Sequence, residues 1–455
     1  MSDAGKFTLA WGTTIRPRDV MRGILIAAVA LVAACDEREV VLPGKREDPR
    51  SVLVTESPTP EDMRNTSKPI RLPRAVANAE WTQRPGTPAT RTTHPALSAT
   101  PTLAWSAPIG AGDSRRHRIT ADPVIAKGHI YTLDAAATVT ATNTGGATVW
   151  QTDLVPSRET ARDATGGGLA FGGGKLFVSS GFGLLTALDA ASGEIVWQQD
   201  LDAIGNGTPT YYKGVVFIVS GNASASALDA DTGRVRWQVS GAAKIADVLG
   251  GAAPAVNDTY AVFPFSSGEL LAVFRKGGLR RWNSFLAGRR EGMARANASD
   301  ITGDPVIVGE TLYAGTSAGR LAAISLGNGE RIWTAPEGPM SPVTVIGGSV
   351  FLVSDRNELL RLDAATGDRI WGVELPYFVG TVARRQKEVY AHYGPIMAGG
   401  QLFVGSNDGK LRVYDPASGA LKRTIDAPGG VTVNPVVAGG VLYVVTSKGA
   451  LLAYR

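Results

Sequence analysis

Cysteine is almost absent: Cys35 is the single one in 455 residues. No intramolecular disulfide can form, which excludes a disulfide scaffold and any cysteine-rich zinc site. Histidine is scarce too, and His94, His117, His129 and His392 show no metal-ligand spacing. Aromatic residues make up 7% and charged residues 19%, with no long amphipathic helical segment. The net charge is +5, of which residues 1–34 carry +2 (Lys6, Arg16, Arg18 and Arg22 against Asp3 and Asp19). So weak a balance gives no argument for nucleic acid or an acidic substrate as partner.

Glycine, by contrast, is abundant at 55 residues, which suits many short strands joined by tight turns. One stretch recurs: Gly183-Leu-Leu-Thr-Ala-Leu-Asp-Ala-Ala-Ser-Gly-Glu-Ile-Val-Trp197, with copies over 319–333 and 357–371. Each copy reads as an alternating strand, a glycine-bearing turn and a second strand ending in tryptophan. Upstream lie a proline-bearing strand, as in Asp122-Pro-Val-Ile-Ala and Asp304-Pro-Val-Ile-Val, and a near-continuous apolar strand, as in Val215-Val-Phe-Ile-Val219. An unbroken apolar strand is one covered on both faces. The tryptophans Trp105, Trp150, Trp197, Trp237, Trp282, Trp333 and Trp371, with Arg423 in the eighth equivalent place, recur every 38 to 52 residues. Four strands at that period is the blade of a β-propeller.

The fold class is therefore all-β: an eight-bladed propeller of four-stranded antiparallel blades over residues 101–455. The chain enters this region with an isolated fourth strand around Trp105 and ends with strands one to three, 431–455. Closure then requires the N-terminal strand to complete the last blade, which removes free sheet edges. The repeated tryptophans read as inter-blade packing residues, each giving its N–H to a neighbouring carbonyl. The turn glycines Gly193, Gly233, Gly367 and Gly419 supply positive φ. Asp189, Asp229 and Asp363 cap their own turns.

The N-terminus reads as an address. Arg16, Arg18 and Arg22 precede a twelve-residue apolar run, 23–34, too short to span a bilayer as a stable helix. Val32-Ala33-Ala34-Cys35 resembles the bacterial lipoprotein signal, which implies cleavage after residue 34 and lipidation of Cys35. The long lead before Met21 leaves both Met1 and Met21 as possible starts. Asp36 resembles an inner-membrane retention signal of some bacteria, so the sequence leaves the choice of membrane open. Residues 35–100, proline-rich and mixed in charge, read as a mostly extended, mobile tether, with room for a short ordered piece around 75–81.

The repeat, Ala-Leu-Asp-x-x-Thr/Ser-Gly followed by an apolar residue and tryptophan, resembles the PQQ-like repeat family across 101–455. Two branches use it. Quinoprotein dehydrogenases hold pyrroloquinoline quinone over calcium, and many stack the quinone under a vicinal disulfide that this chain cannot make. Calcium also needs several converging oxygen ligands, whereas the aspartates here fall mainly in turns. The other branch, the BamB lipoproteins of the outer-membrane β-barrel assembly machine, is similar throughout: lipobox, tether and eight blades. That resemblance implies a non-enzymatic scaffold without cofactor or metal, lipid-anchored on the periplasmic side of the outer membrane. Its implied partners are the POTRA domains of BamA, other members of the machine, and unfolded outer-membrane proteins. It places partner contacts in loops between blades, here Ile245-Ala-Asp-Val-Leu-Gly-Gly251 and Asn297-Ala-Ser-Asp-Ile-Thr302, with Val248, Leu249 and Asp300 as the candidates. Leu249 stands where the family has arginine, and Thr302 replaces an acidic residue. Two readings of Val248 and Leu249 stay open, docking residues or cover for the blade.

Two other features carry weaker chemistry. Gly172-Gly-Gly-Lys175 resembles a phosphate loop, but Leu176 stands where Ser or Thr is needed and the context is a hairpin. The basic run Arg275, Lys276, Arg280, Arg281, Arg289, Arg290 and Arg295 around Trp282 is either solvated loop charge or a face for anionic lipid or an acidic partner.

Overall fold

A computed structural model describes residues 65–455 apart from 164, 204–206, 243–250, 287–299, 383 and 385. Residues 60–455 form a compact unit of their own. The signal region, Cys35 and the start of the tether lie outside the described residues. Among the described residues there are thirty-two strands, grouped into eight four-stranded antiparallel sheets. Blades 1 to 7 span 124–153, 167–200, 210–240, 255–285, 301–335, 344–374 and 392–426. Blade 8 takes three strands from the C-terminus (Val436–Ala438, Val441–Val445, Ala450–Tyr454) and its fourth from Leu103–Pro108. Ser106 opposes Leu452 and Ala107 opposes Leu451 in that closing pair. The expected eight-bladed ring and its closure are both present.

Burial follows strand position. Second strands such as Lys175–Ser180 are covered on both faces, because neighbouring blades press on each. Fourth strands such as Ile195–Asp200 and Thr148–Asp153 form the outer rim, with every second residue exposed. Each rim tryptophan packs on an aromatic of its own second strand where one is present, as Trp197 on Phe177 at 5.9 Å and Trp371 on Phe351 at 5.9 Å. The indole N–H then crosses to the next blade: Trp150 donates to the Ala190 carbonyl (3.2 Å), Trp282 to Leu326 (2.7 Å) and Trp371 to Pro416 (3.2 Å).

In such a meander, the turns joining strands one to two and three to four share one end of the ring. The two-to-three turns and the links between blades share the other. Residues 65–100 lie across the first end. Trp81, wholly buried, exchanges backbone hydrogen bonds with Ile125 of blade 1 (2.8 and 2.7 Å). Further on, the Thr82 carbonyl accepts from Phe171 of blade 2, and the Gln83 side chain pairs with the Tyr211 backbone of blade 3. Pro88 and Ala89 accept from Val256 of blade 4 and Ile307 of blade 5, and Pro95 from Gly399 of blade 7. Asn78 reaches blade 8 through Val437 and Gly439. The segment thus makes a circuit of the ring before entering it as a strand.

This differs from the mobile tether expected over 35–100. The ordered part is longer than 75–81 and belongs with the propeller. A composition argument asks whether a segment can bury its own apolar surface. Residues 65–100 do not need to, because the innermost strand of each blade offers unpaired backbone groups and apolar surface already in place.

Candidate functional site

The first strands enclose a central channel, and residues 65–100, hereafter the belt, close it at one end. Arg84 lies on the axis side of the belt, its Nε 3.0 Å from an Asp304 carboxylate oxygen of blade 5 and 3.6 Å from one of Asp122 of blade 1. Asp122 also accepts the backbone and side-chain N–H groups of Asn434 from blade 8 (2.9 and 2.8 Å). Asp304 accepts the Ala253 N–H of blade 4 at 2.6 Å. One buried cluster therefore ties together the belt and four blades. Burial opposes the Arg84 charge, but Asp304 and Asp122 outweigh it and hold its pKa above the ordinary value. Burial likewise pushes both carboxylates up, against the pull of Arg84. Arg91 sits nearby, lowered to about 10 by burial, and donates twice to the Pro342 carbonyl of blade 6 (2.9 and 2.8 Å).

Above this floor the channel is a cavity of about 670 Å³. Its wall is half apolar, with Phe265, Met340 and Val433, and its mouth carries Arg118, Asn407 and Lys448. The mouth opens at the end that bears the inter-blade links. Asp300, in the link from blade 4 to blade 5, is 5% exposed and lines this cavity. Val248 and Leu249 lie outside the described residues. The residues on either side of their loop, Ala242 and Gly251, are placed, and Gly251 and Ala252 line the same cavity. The described ends of the two links singled out in the sequence, Gly251–Ala252 and Asp300–Thr302, thus lie at the open end.

Four residues of the basic run are among the described residues. Arg275 and Lys276 occupy the three-to-four turn of blade 4, at the belt end, and Arg280 and Arg281 lie in the outer strand Arg280–Phe285. Arg289, Arg290 and Arg295 fall outside the described residues.

Sequence reasoning missed the floor cluster and a second anchor, Arg361. Its side chain is 1% exposed, donates to Ser349 Oγ (3.0 Å) and to the carbonyls of Lys68 and Ala417, and so clamps the belt onto blades 6 and 7. The signal was there: Arg361 interrupts an alternating strand where six other copies have alanine, among them Ala141, Ala187 and Ala227. A charge in such a place needs a buried partner.

A quinone and a calcium ion would have to sit in this channel. The carboxylates that face its floor are turned onto Arg84, an internal cation. Among the described residues, no three His, Cys, Asp or Glu side chains converge as ligands would. The residues present do not fit that pair.

The molecule is thus a closed propeller with a blind channel, of a kind that works by presenting loops. A family model described as outer membrane protein assembly factor BamB matches residues 135–373 and 381–455. The chain belongs to that family, whose members are assembly factors and not enzymes. The BamB of Salmonella typhimurium is 29% identical over 364 residues, covering 78% of this chain and 88% of that one. The BamB crystal structure from Moraxella catarrhalis superposes with a TM-score of 0.65 at 18% identity, covering 78% of this chain and all of that one. A quinohemoprotein alcohol dehydrogenase from Comamonas testosteroni reaches 0.62 at 17% identity, over 84% of this chain and 81% of that one. At such identities the likeness is one of fold.

Proposed function

We propose that this chain is a lipid-anchored periplasmic scaffold that binds the POTRA domains of BamA and assists insertion of outer-membrane β-barrels. Cys35 carries the anchor, and residues 36–64 supply the reach that keeps the ring near its partners. What supports this reading is the family match together with the described ends of two adjacent links, Gly251–Ala252 and Asp300–Thr302, which line the open end of a scaffold braced at the other. Loops on such a frame lose little conformational freedom on binding.

The test is a pull-down of BamA with Val248→Glu and Leu249→Glu variants. Placing a carboxylate at an apolar contact should cost about 2 kcal/mol, roughly thirtyfold in Kd. If both variants retain BamA like the unaltered protein, the assigned loop is wrong. If the unaltered protein retains none, the partner is wrong.

A further inference from the structure

Six of the seven complete three-to-four turns share one backbone pattern, and that of blade 1 is one residue shorter. In blade 2, Gly193 N–H returns to the Asp189 carbonyl, and in blade 4, Gly278 N–H returns to the Phe274 carbonyl, both within 2.9 Å. The side chains part company. Where other blades place Asn143, Asp189, Asp229, Ser325, Asp363 and Asp415, blade 4 places Phe274. In five of the others a carboxylate or amide caps the turn: Asp189 accepts from Ala191 and Ser192, and Asn143 from Gly145 and Ala147; Ser325 of blade 5 does not. Phe274 forgoes that cap and is 38% exposed. After the glycine, where Glu194, Arg234, Glu330 and Asp368 stand elsewhere, blade 4 has Leu279, 69% exposed. The turn between them carries Arg275 and Lys276.

Neither change helps the fold. A forgone cap weakens the turn, and an exposed leucine gains nothing from burial. Charge adds to this. Several exposed cations elsewhere are paired, as Lys175 with Asp231 (2.7 Å), Arg236 with Asp229 (2.6 Å) and Lys410 with Asp426 (2.6 Å). Among the described residues Arg275, Lys276, Arg280 and Arg281 have no such carboxylate. Arg275 lies over the Tyr212 ring at 5.1 Å, and Arg281 donates to the Gly327 carbonyl at 2.9 Å. Lys213 and Asp258 alongside neutralise each other. Arg280 donates to the Ser240 carbonyl of blade 3. An apolar tip, Phe274 and Leu279, is left at the belt end of the ring with Arg275 and Lys276 in the turn between them.

We infer that this turn is a membrane-contact site that inserts Phe274 and Leu279 shallowly into an anionic phospholipid surface while Arg275 and Lys276 meet its headgroups. An interface of lipid headgroup and acyl chain takes apolar tips and cations together. A purely acidic protein surface would match the charges and leave the leucine in water. The site lies at the end of the ring opposite the channel mouth and the inter-blade links, so lipid and protein partner would be met by opposite ends.

The experiment uses residues 60–455, the compact unit, which carries no lipid of its own. It is floated with vesicles of phosphatidylglycerol and phosphatidylethanolamine, and with phosphatidylcholine alone. Binding to the anionic vesicles, lost in high salt and on phosphatidylcholine, is the expected result. Lys276→Glu with Leu279→Asp, both at exposed positions, should weaken it at least about tenfold. Phe274→Asp with Leu279→Glu restores the pattern of the other turns. It should abolish vesicle binding while leaving the melting temperature equal or higher, whereas a structural role for the two residues predicts a lower one. The inference fails if the unit ignores anionic vesicles or if both double variants float like the parent. Capture of a polyglutamate probe without vesicle binding would assign the turn to an acidic protein and overturn it. BamA retention by the same variants should be unchanged, which separates this outcome from that of the partner-loop test.

Discussion

A Cβ placed on Gly367 would lie 2.6 Å from the indole of Trp333, on a backbone at φ +79. Gly193, Gly233, Gly278 and Gly419 stand in the same relation to Trp150, Trp197, Trp237 and Trp371. Each turn glycine is thus needed twice, for its left-handed backbone and for the close approach of the preceding blade's tryptophan. The two demands can be separated. Gly400 has φ +74 but no atom within 4 Å of its would-be Cβ. Gly400→Ala should cost about 1–2 kcal/mol, the strain of the conformation alone. Gly367→Ala should add an overlap cost of about 1–3 kcal/mol. Denaturant melts of the two variants check this, and equal losses would mean that the tryptophan yields freely. Arg423 also makes sense at this scale. It occupies the tryptophan place of blade 7 and faces blade 8, whose third and fourth strands are not joined by a turn, so no glycine waits to receive an indole. Arg423 instead donates to Gln401 at 3.0 Å.

Among the elements, the belt shows most clearly where reading the sequence stops. Its composition speaks for an extended chain, and extended it is. Nothing in residues 65–100 alone says that Trp81, Arg84 and Arg91 have buried places waiting, because those places are made by Ile125, Asp122, Asp304 and Pro342, 38 to 251 residues further on. Arg84→Ala would leave two buried carboxylates without their cation, a loss of about 3–5 kcal/mol. Adding Asp122→Asn and Asp304→Asn to it should recover part of that loss, and thermal melts of the single and triple variants decide the matter. If Arg84→Ala melts with the parent, the floor of the channel is not held by this cluster. The inter-blade links show the complementary case: the sequence located them as the places where the copies differ, and their described ends, Gly251–Ala252 and Asp300–Thr302, line the open end.

For the whole molecule the decisive contact is the one between its two ends. The strand Leu103–Pro108 covers the edge of Ala450–Tyr454, and without it blade 8 would present an unpaired apolar edge. A chain begun after residue 108 loses that strand and the belt together. It should unfold in more than one step and aggregate, where the parent unfolds in a single transition, as calorimetry and light scattering would show. A single transition in the shortened chain would mean that neighbour contacts alone hold the ring.

The sequence by itself determined the period, the four strands per blade, the number of blades and the way the ring closes. Each of these is a local pattern repeated, and local spacing is what a sequence displays. Tertiary structure alone decided that residues 65–100 seal one end, that Arg84 rather than a metal ion neutralises Asp122 and Asp304, and which end of the ring each loop occupies. Those facts depend on groups distant in the chain meeting in a buried place, where the cost of an unpaired charge or N–H selects the partner.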